Sequence, residues 1–192
     1  MMTTQGFVLA LMALMISAGA RAQPPAPSAA RVTIVLVHGA LVDGSSWRGV
    51  YDVLTRDGYR VSIVQQPLTG FAEDVAATHC ALDQQDGPVV LVGHSYGVSI
   101  ITAAGSDPKV KALVYVAALQ PDAGETSAEV ASPMKSASDD LKSTKDGFVF
   151  VDPAKFPADV GADLPKATAE FIAHSQMPVL GAAFRATLSA AA

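Results

Sequence analysis

Four apolar, largely β-branched runs recur in the first two thirds of this chain, and each is followed by a longer segment with helical patterning. The apolar runs lie at 32–37, 60–65, 88–93 and 111–116. The helical segments lie at 45–58, 71–87 and 96–107. Near-continuous apolar strands separated by helices are typical of a parallel sheet covered on both faces. The alternation therefore predicts an α/β fold with a parallel sheet.

The character of the sequence changes after Leu119. Residues 120–147 are polar and rich in Ser, Asp and Lys, and 148–153 favours a short strand or a hairpin arm. We expect a loop and a helix over 158–178 and a second helix over 179–192. The β–α alternation does not continue in this part of the sequence.

The N-terminus has the pattern of an export signal. An apolar run over 7–20 precedes small residues at Ala20 and Ala22, so we predict a signal peptide over 1–22 with cleavage after Ala22. The Pro/Ala-rich stretch 23–30 would then be a flexible linker, and the mature protein would be periplasmic or secreted. The alternative is an uncleaved anchor, but the run is shorter than the roughly 20 residues a membrane span needs. We expect no stable membrane span after cleavage.

Charge and composition exclude several classes of function. The net charge is −5, and the 13 Lys and Arg residues are scattered, so no nucleic-acid partner is expected. Cys80 is the single cysteine, which rules out an internal disulfide. It follows His79, but adjacent helical side chains point about 100° apart, so we do not expect a catalytic pair. No metal cluster, P-loop or dinucleotide fingerprint occurs, and we expect no metal and no cofactor.

The residues Gly93, His94, Ser95, Tyr96 and Gly97 form a G-x-S-x-G pattern between a predicted strand and a predicted helix. A sharp strand-to-helix turn strains the serine, and small neighbours let the two backbones approach. The turn lifts the hydroxyl to the carboxyl end of a central strand, where open α/β sheets place their sites. We therefore predict that Ser95 is a nucleophile and that Gly93 and Gly97 are structural residues of its turn.

A second feature follows the first strand, where His38, Gly39 and Ala40 form a short loop. The backbone N–H groups of Ala40 and Tyr96 could point into one small volume and hold the oxyanion of a tetrahedral intermediate. We interpret His38 as a structural residue that bonds loop backbone. His94 would flank the nucleophile with its ring turned away, in packing or hydrogen bonding.

The segments VLVHGALVDGSSW, GPVVLVGHSYG and ALVYVAALQPDAGE resemble the α/β-hydrolase superfamily. The likeness is closest to the small single-domain branch that includes plant methyl-ester esterases and hydroxynitrile lyases, and it covers roughly 31–185. It implies Ser95 as nucleophile and the amides of Ala40 and Tyr96 as oxyanion hole. It also implies a hydrolase core over 31–119 and a small helical cap over 120–192 that supplies the substrate pocket.

The sequence departs from that family in its later part. Triads of this fold run in the order Ser, acid, His, and the last two follow later strands. The later strands are missing, and His174, in a predicted cap helix, is the one histidine after Ser95. We expect a chain truncated before the triad acid and histidine, with an apolar edge and face of the sheet uncovered. The alternative is an unusual member that recruits His174 and an acid such as Asp122.

Three functions are compatible with these patterns. The first is an exported serine hydrolase that acts on a small uncharged ester or lactone, with little activity if the triad is incomplete. The second is a hydroxynitrile-lyase-like enzyme, in which Ser95 and a histidine handle a proton. The third is a non-catalytic protein that binds a ligand in the cap pocket. Covalent labelling of the serine would separate the first from the third.

Overall fold

The computed structural model describes residues 32–134, 138–189 and 191–192. The predicted signal peptide at 1–22 and the predicted linker at 23–30 lie outside the described residues. Within the described part of the chain, no helix combines the length and the apolar character needed to cross a membrane.

The main sheet has four parallel strands in the order β2-β1-β3-β4. The strands are β1 (Thr33–Val37), β2 (Arg60–Val64), β3 (Val89–His94) and β4 (Val110–Val116). Each matches one of the four apolar runs, so the predicted α/β fold with a parallel sheet is confirmed. β1 and β3 are the inner strands, and their carboxyl ends lie side by side, since Val37 pairs with Gly93.

Three helices follow the first three strands. They are α1 (Arg48–Arg56), α2 (Phe71–Asp83) and α3 (Tyr96–Ala104), and a 3-10 turn over Gly44–Trp47 leads into the first. Asp43 caps that turn by accepting a hydrogen bond from the Ser45 N–H at 2.9 Å. The cap is thus the aspartate rather than one of the serines that follow it, although both residue types favour this position.

One face of the sheet forms the main core. Every second residue of β1 and β3, including Val35 and Leu91, is fully buried against α2 and α3. The buried face of α3 includes Ile100, Ile101 and Ala104. This packing fixes the helix directly behind the end of β3, which is the position that the G-x-S-x-G turn requires.

Part of the edge strand β4 is exposed among the described residues. Val114 is 42% exposed and Val116 is 36% exposed, and both alternate onto the face that α3 does not cover. Leu36 of β1 alternates onto the same face and is fully buried. Lys111 is the one charged side chain of β4. Accessible apolar side chains on an edge strand are unusual in a folded protein, and those of β4 fit the expectation of an uncovered apolar edge.

The region after β4 contains short helices and a small sheet. The helices are α4 (Ser127–Ala131), α5 (Phe156–Asp159) and α6 (Lys166–Ser175). The antiparallel strands β5 (Leu141–Ser143), β6 (Phe148–Val151) and β7 (Val179–Leu180) pair in the order β5-β6-β7. The predicted strand at 148–153 and the predicted helix within 158–178 are both present.

The predicted helix over 179–192 is wrong. Val179 and Leu180 form β7, and a 3-10 turn over Gly181–Arg185 follows. Pro178 and Gly181 bracket the strand and both oppose a regular helix. The backbone N–H of Leu180 also donates to the Leu68 carbonyl oxygen at 2.8 Å, which ties β7 to the loop after β2. Tertiary pairing has overridden the helical propensity of the alanines.

Candidate active site

Ser95 lies at the sharp turn between β3 and α3, in a strained backbone conformation. Its φ is 51° and its ψ is −124°, in a region that non-glycine residues occupy at a cost of roughly 1–3 kcal/mol. Its N–H donates to the Val116 carbonyl oxygen at 3.1 Å, which anchors the turn to β4. The Ser95 residue is exposed, whereas Tyr96 and Gly97 are buried. The turn therefore presents the hydroxyl outward from a rigid core.

The two glycines of the turn lie where the strand and helix backbones nearly touch. A methyl group on Gly97 would lie 2.6 Å from the carbonyl oxygen of Val37 and 2.7 Å from that of His38. A methyl group on Gly93 would lie 2.7 Å from the Gly97 carbonyl oxygen. All three distances are too short for a carbon–oxygen contact, so only glycine fits at either position.

The loop after β1 runs directly beside Ser95. A Cβ atom on Gly39 would lie 3.0 Å from the Ser95 Cβ and 3.2 Å from the His94 carbonyl oxygen. Gly39 therefore permits the backbone that leads to Ala40 to pass along the turn at Ser95. This proximity favours the predicted oxyanion hole, although the convergence of the Ala40 and Tyr96 N–H groups stays a prediction.

His38 is completely buried and is bonded to backbone on both ring nitrogens. Its Nε2 accepts from the Gln66 N–H at 3.1 Å, so Nδ1 carries the proton and donates to the Gly39 carbonyl oxygen at 2.8 Å. The Gln66 side-chain amide donates to the His38 carbonyl oxygen at 2.6 Å. Burial lowers the pKa of His38, in keeping with a neutral ring that accepts a hydrogen bond. The residue shapes the loop beside Ser95.

The ring of His94 packs against an aromatic side chain. Its ring meets Trp47 edge to face, with centroids 6.2 Å apart and planes at 85°. Burial lowers the pKa of His94, so the neutral ring is favoured. The structure thus places both histidines nearest to Ser95 in structural contacts.

His174 and Asp122, the recruited pair of the alternative hypothesis, both lie at the surface. His174 is exposed on α6. Asp122 is exposed in a turn, where its carboxylate accepts from the Ala123 N–H at 2.7 Å. Across residues 32–134, 138–189 and 191–192, no hydrogen bond joins the Ser95 Oγ to a histidine or a carboxylate.

A buried acid beneath the turn was missed by sequence reasoning. Asp74 of α2 is completely buried and accepts from the Tyr96 hydroxyl at 2.9 Å and from the Leu68 N–H at 2.7 Å. Burial raises the pKa of Asp74, and its two hydrogen bonds oppose that rise. Burial, together with Asp74, also raises the pKa of the Tyr96 hydroxyl. The available signal was helical spacing, because Asp74 shares its buried face with Thr78 and Leu82.

A cavity of about 540 Å³ opens beside Ser95 between the core and the region after β4. Its apolar walls are Ala117, Ala118, Leu119, Ala131, Met134 and Phe184. Its polar walls are Ser95, Tyr96, Ser99 and Ser127. No described lining residue is charged, and the volume falls within the range of small-molecule sites. Among the described residues, no cluster of three or more His, Cys, Asp or Glu side chains could hold a metal ion.

The sequence model of the alpha/beta hydrolase family matches residues 34–191, and the chain belongs to that family. A curated relative, the carbendazim-hydrolyzing esterase of Nocardioides sp. (strain SG-4G), is 32% identical over 106 residues. The match covers 48% of this chain and 44% of the esterase, so the chain spans less than half the length of that relative.

Solved structures share the fold. A pyrethroid hydrolase from Sphingobium faniae superposes with a TM-score of 0.64 and 21% identity, covering 84% of this chain and 73% of that protein. A methylesterase from Arabidopsis gives a TM-score of 0.69 and 18% identity, covering 83% of this chain and 71% of that protein. These likenesses establish the α/β-hydrolase architecture.

Proposed function

We propose that the protein is a serine hydrolase that cleaves small, uncharged carboxylic esters or lactones through an acyl-enzyme on Ser95. The observation that carries this proposal is the strained, exposed Ser95 at the head of α3, on the wall of an uncharged cavity. Strain held at a ligand-facing residue is characteristic of functional sites. The match to a carbendazim-hydrolyzing esterase supports ester cleavage rather than another reaction of this fold.

In the proposed mechanism, the Ser95 Oγ attacks the ester carbonyl carbon while a base removes the hydroxyl proton. The N–H groups of Ala40 and Tyr96 hold the resulting oxyanion, whose collapse expels the alcohol and leaves an acyl-serine. Water then attacks the acyl group and releases the acid. None of the four histidines of the chain makes a hydrogen bond to the Ser95 hydroxyl, so we propose that these 192 residues alone turn over slowly. We further propose export, with cleavage after Ala22.

A fluorophosphonate probe tests the nucleophile. We expect one covalent adduct per chain, formed slowly and located on Ser95 by peptide mass spectrometry, because this exposed hydroxyl lies on the cavity wall beside the predicted oxyanion N–H groups. Ser95→Ala should remove the adduct completely. Ser106→Ala, which changes an exposed serine beyond the other end of the same helix, is the matched control and should label normally. An adduct on another serine, or none at all, would favour a non-catalytic binding protein.

His174→Ala tests the recruited-base alternative. We expect hydrolysis of short 4-nitrophenyl esters to change less than 2-fold, because an exposed side chain on α6 without a contact to Ser95 cannot take its proton. The measurement is kcat/KM for purified variants, with Ser95→Ala as the reference for complete loss. If His174→Ala were as damaging as Ser95→Ala, the two residues would form one catalytic unit and the alternative would be correct.

A further inference from the structure

Two serine hydroxyls meet at the wall of the cavity that Ser95 also lines. The Oγ atoms of Ser99 and Ser127 are 2.7 Å apart, and Ser99 is only 1% exposed. Ser99 lies four residues after Ser95, which places it about one helical turn, or roughly 5–6 Å, further along α3. Ser127 is held at the start of α4 by a capping box between Thr126 and Glu129. Both hydroxyls are therefore positioned by well-defined elements.

The pair has one hydrogen-bond donor left over. Two hydroxyls carry two hydrogens, and the bond between Ser99 and Ser127 uses one of them. Within the described part of the chain, neither hydroxyl makes a second side-chain hydrogen bond. The remaining O–H therefore lacks a protein acceptor, while the nearby cavity walls are alkyl and aromatic groups. A half-satisfied polar pair in an apolar cavity favours a ligand atom that can accept this hydrogen bond.

We propose that Ser99 and Ser127 form a subsite for an uncharged acceptor oxygen, an ether or a ketone, in the group that occupies the cavity. The inference rests on the proposed function, because it sets the oxygen about 5–6 Å from the carbonyl that Ser95 attacks. The rest of that group is apolar, to match Leu119, Met134 and Phe184. The walls favour an uncharged group, since a buried charge needs a partner and no described lining residue is charged.

Symmetric ketones test the subsite without any acyl transfer. Undecan-6-one and 1,7-dimethoxyheptan-4-one have the same length, and each arm differs only at the fourth atom after the carbonyl carbon, which is a methylene in the first ketone and an oxygen in the second. Because the arms are identical, the orientation of the ligand in the site does not affect the comparison. We expect the dimethoxy ketone to bind the full chain about 5-fold more tightly by calorimetry, the effect of one net hydrogen bond.

Removal of both hydroxyls should erase this preference, because either hydroxyl alone still carries a hydrogen that it can donate. In the double variant Ser99→Ala/Ser127→Ala, the dimethoxy ketone should lose about 5-fold in affinity, whereas undecan-6-one should change less than 2-fold. Ser132→Ala, an exposed serine at the end of α4, is the matched control and should retain the preference. Ser127→Thr keeps a hydroxyl and should also retain it, which separates hydrogen bonding from a disturbance of α4.

The outcomes distinguish this proposal from the proposed function. Equal affinity for the two ketones in the unmodified protein, or equal weakening of both in the double variant, would overturn the subsite even if Ser95 labels normally. A preserved preference together with no fluorophosphonate adduct would instead support the subsite as a binding site and overturn the hydrolase.

Discussion

Gly97→Ala is expected to lower the free energy of unfolding by about 3 kcal/mol, the upper end of what overpacking usually costs. The added methyl group would lie 2.6 Å from the Val37 carbonyl oxygen and 2.7 Å from that of His38, so backbone rather than a flexible side chain must move. α3 would be pushed away from β1, and the turn at Ser95 moves with it. We therefore also expect fluorophosphonate labelling to fall more than 10-fold under conditions where the variant remains folded.

The matched control for this variant is Gly49→Ala. Gly49 lies in α1, and a methyl group there would meet nothing within 4 Å. Because alanine is the better helix former, we expect a gain of roughly 0.5 kcal/mol and unchanged labelling. Urea denaturation of both variants measures the difference. If Gly97→Ala were as stable as the unmodified protein, the close approach of α3 to β1 described here would be incorrect.

Asp74→Ala is the second substitution with a large expected effect, a loss of about 3 kcal/mol in the free energy of unfolding. It removes the acceptor of two buried donors, the Tyr96 hydroxyl and the Leu68 N–H, and each orphaned donor costs about 1–3 kcal/mol. Relief from burying a carboxylate offsets part of that cost. Tyr96 also supplies a predicted oxyanion N–H, so labelling of Ser95 should slow as well. Denaturant unfolding and labelling rates measure the two effects.

Asp74→Asn is the matched control, because it keeps an acceptor for the Leu68 N–H and offers an amide donor to the Tyr96 oxygen. We expect it to cost about 1–2 kcal/mol near pH 7, less than Asp74→Ala, because only the Tyr96 O–H loses its acceptor. A loss as large as that of Asp74→Ala would mean that the negative charge, rather than hydrogen bonding, holds the turn.

The comparison of the unmodified protein with Asp74→Asn should depend on pH. Burial raises the pKa of Asp74, so the native state binds this proton more tightly than the unfolded chain, where the pKa is about 3.9. The stabilisation that the shifted pKa of Asp74 contributes is complete below the pKa of the unfolded state, and it is lost as pH rises through the pKa of the native state. The free energy of unfolding of Asp74→Asn, compared with that of the unmodified protein, should therefore increase as the pH rises from the unfolded to the native pKa of Asp74. A difference that does not change with pH would contradict the raised pKa.

The parallel sheet and the turn at Ser95 could be predicted because local signals agree there. The apolar runs are long and are bounded by Gly or Pro, and the G-x-S-x-G residues stand directly between a strand and a helix. The ends of the helices were predicted less accurately. The helix predicted to Gly87 stops at Asp83, and the one predicted to Asp107 stops at Ala104.

The strand within residues 179–192 and the buried role of Asp74 could not be predicted, since both depend on partners distant in sequence. Residues 179–192 have helical composition, but Val179 pairs with Val149 of β6 and so becomes a strand. Asp74 looks like an ordinary helical acid until the turn brings Tyr96 and Leu68 to it. Likewise, the Ser99–Ser127 pair joins two helices 28 positions apart along the chain.

At the position of Ser95, stability favours glycine, whereas the proposed reaction requires a serine hydroxyl. A φ of 51° with a ψ of −124° suits glycine, which reaches such angles without the penalty that a Cβ atom imposes. Selection for stability alone would favour glycine at this position. The free energy of unfolding would increase, but the hydroxyl that the proposed function needs would be lost. If Ser95 is the proposed nucleophile, its hydroxyl offsets this cost in stability, and a glycine at residue 95 would mark a relative that has lost the proposed activity.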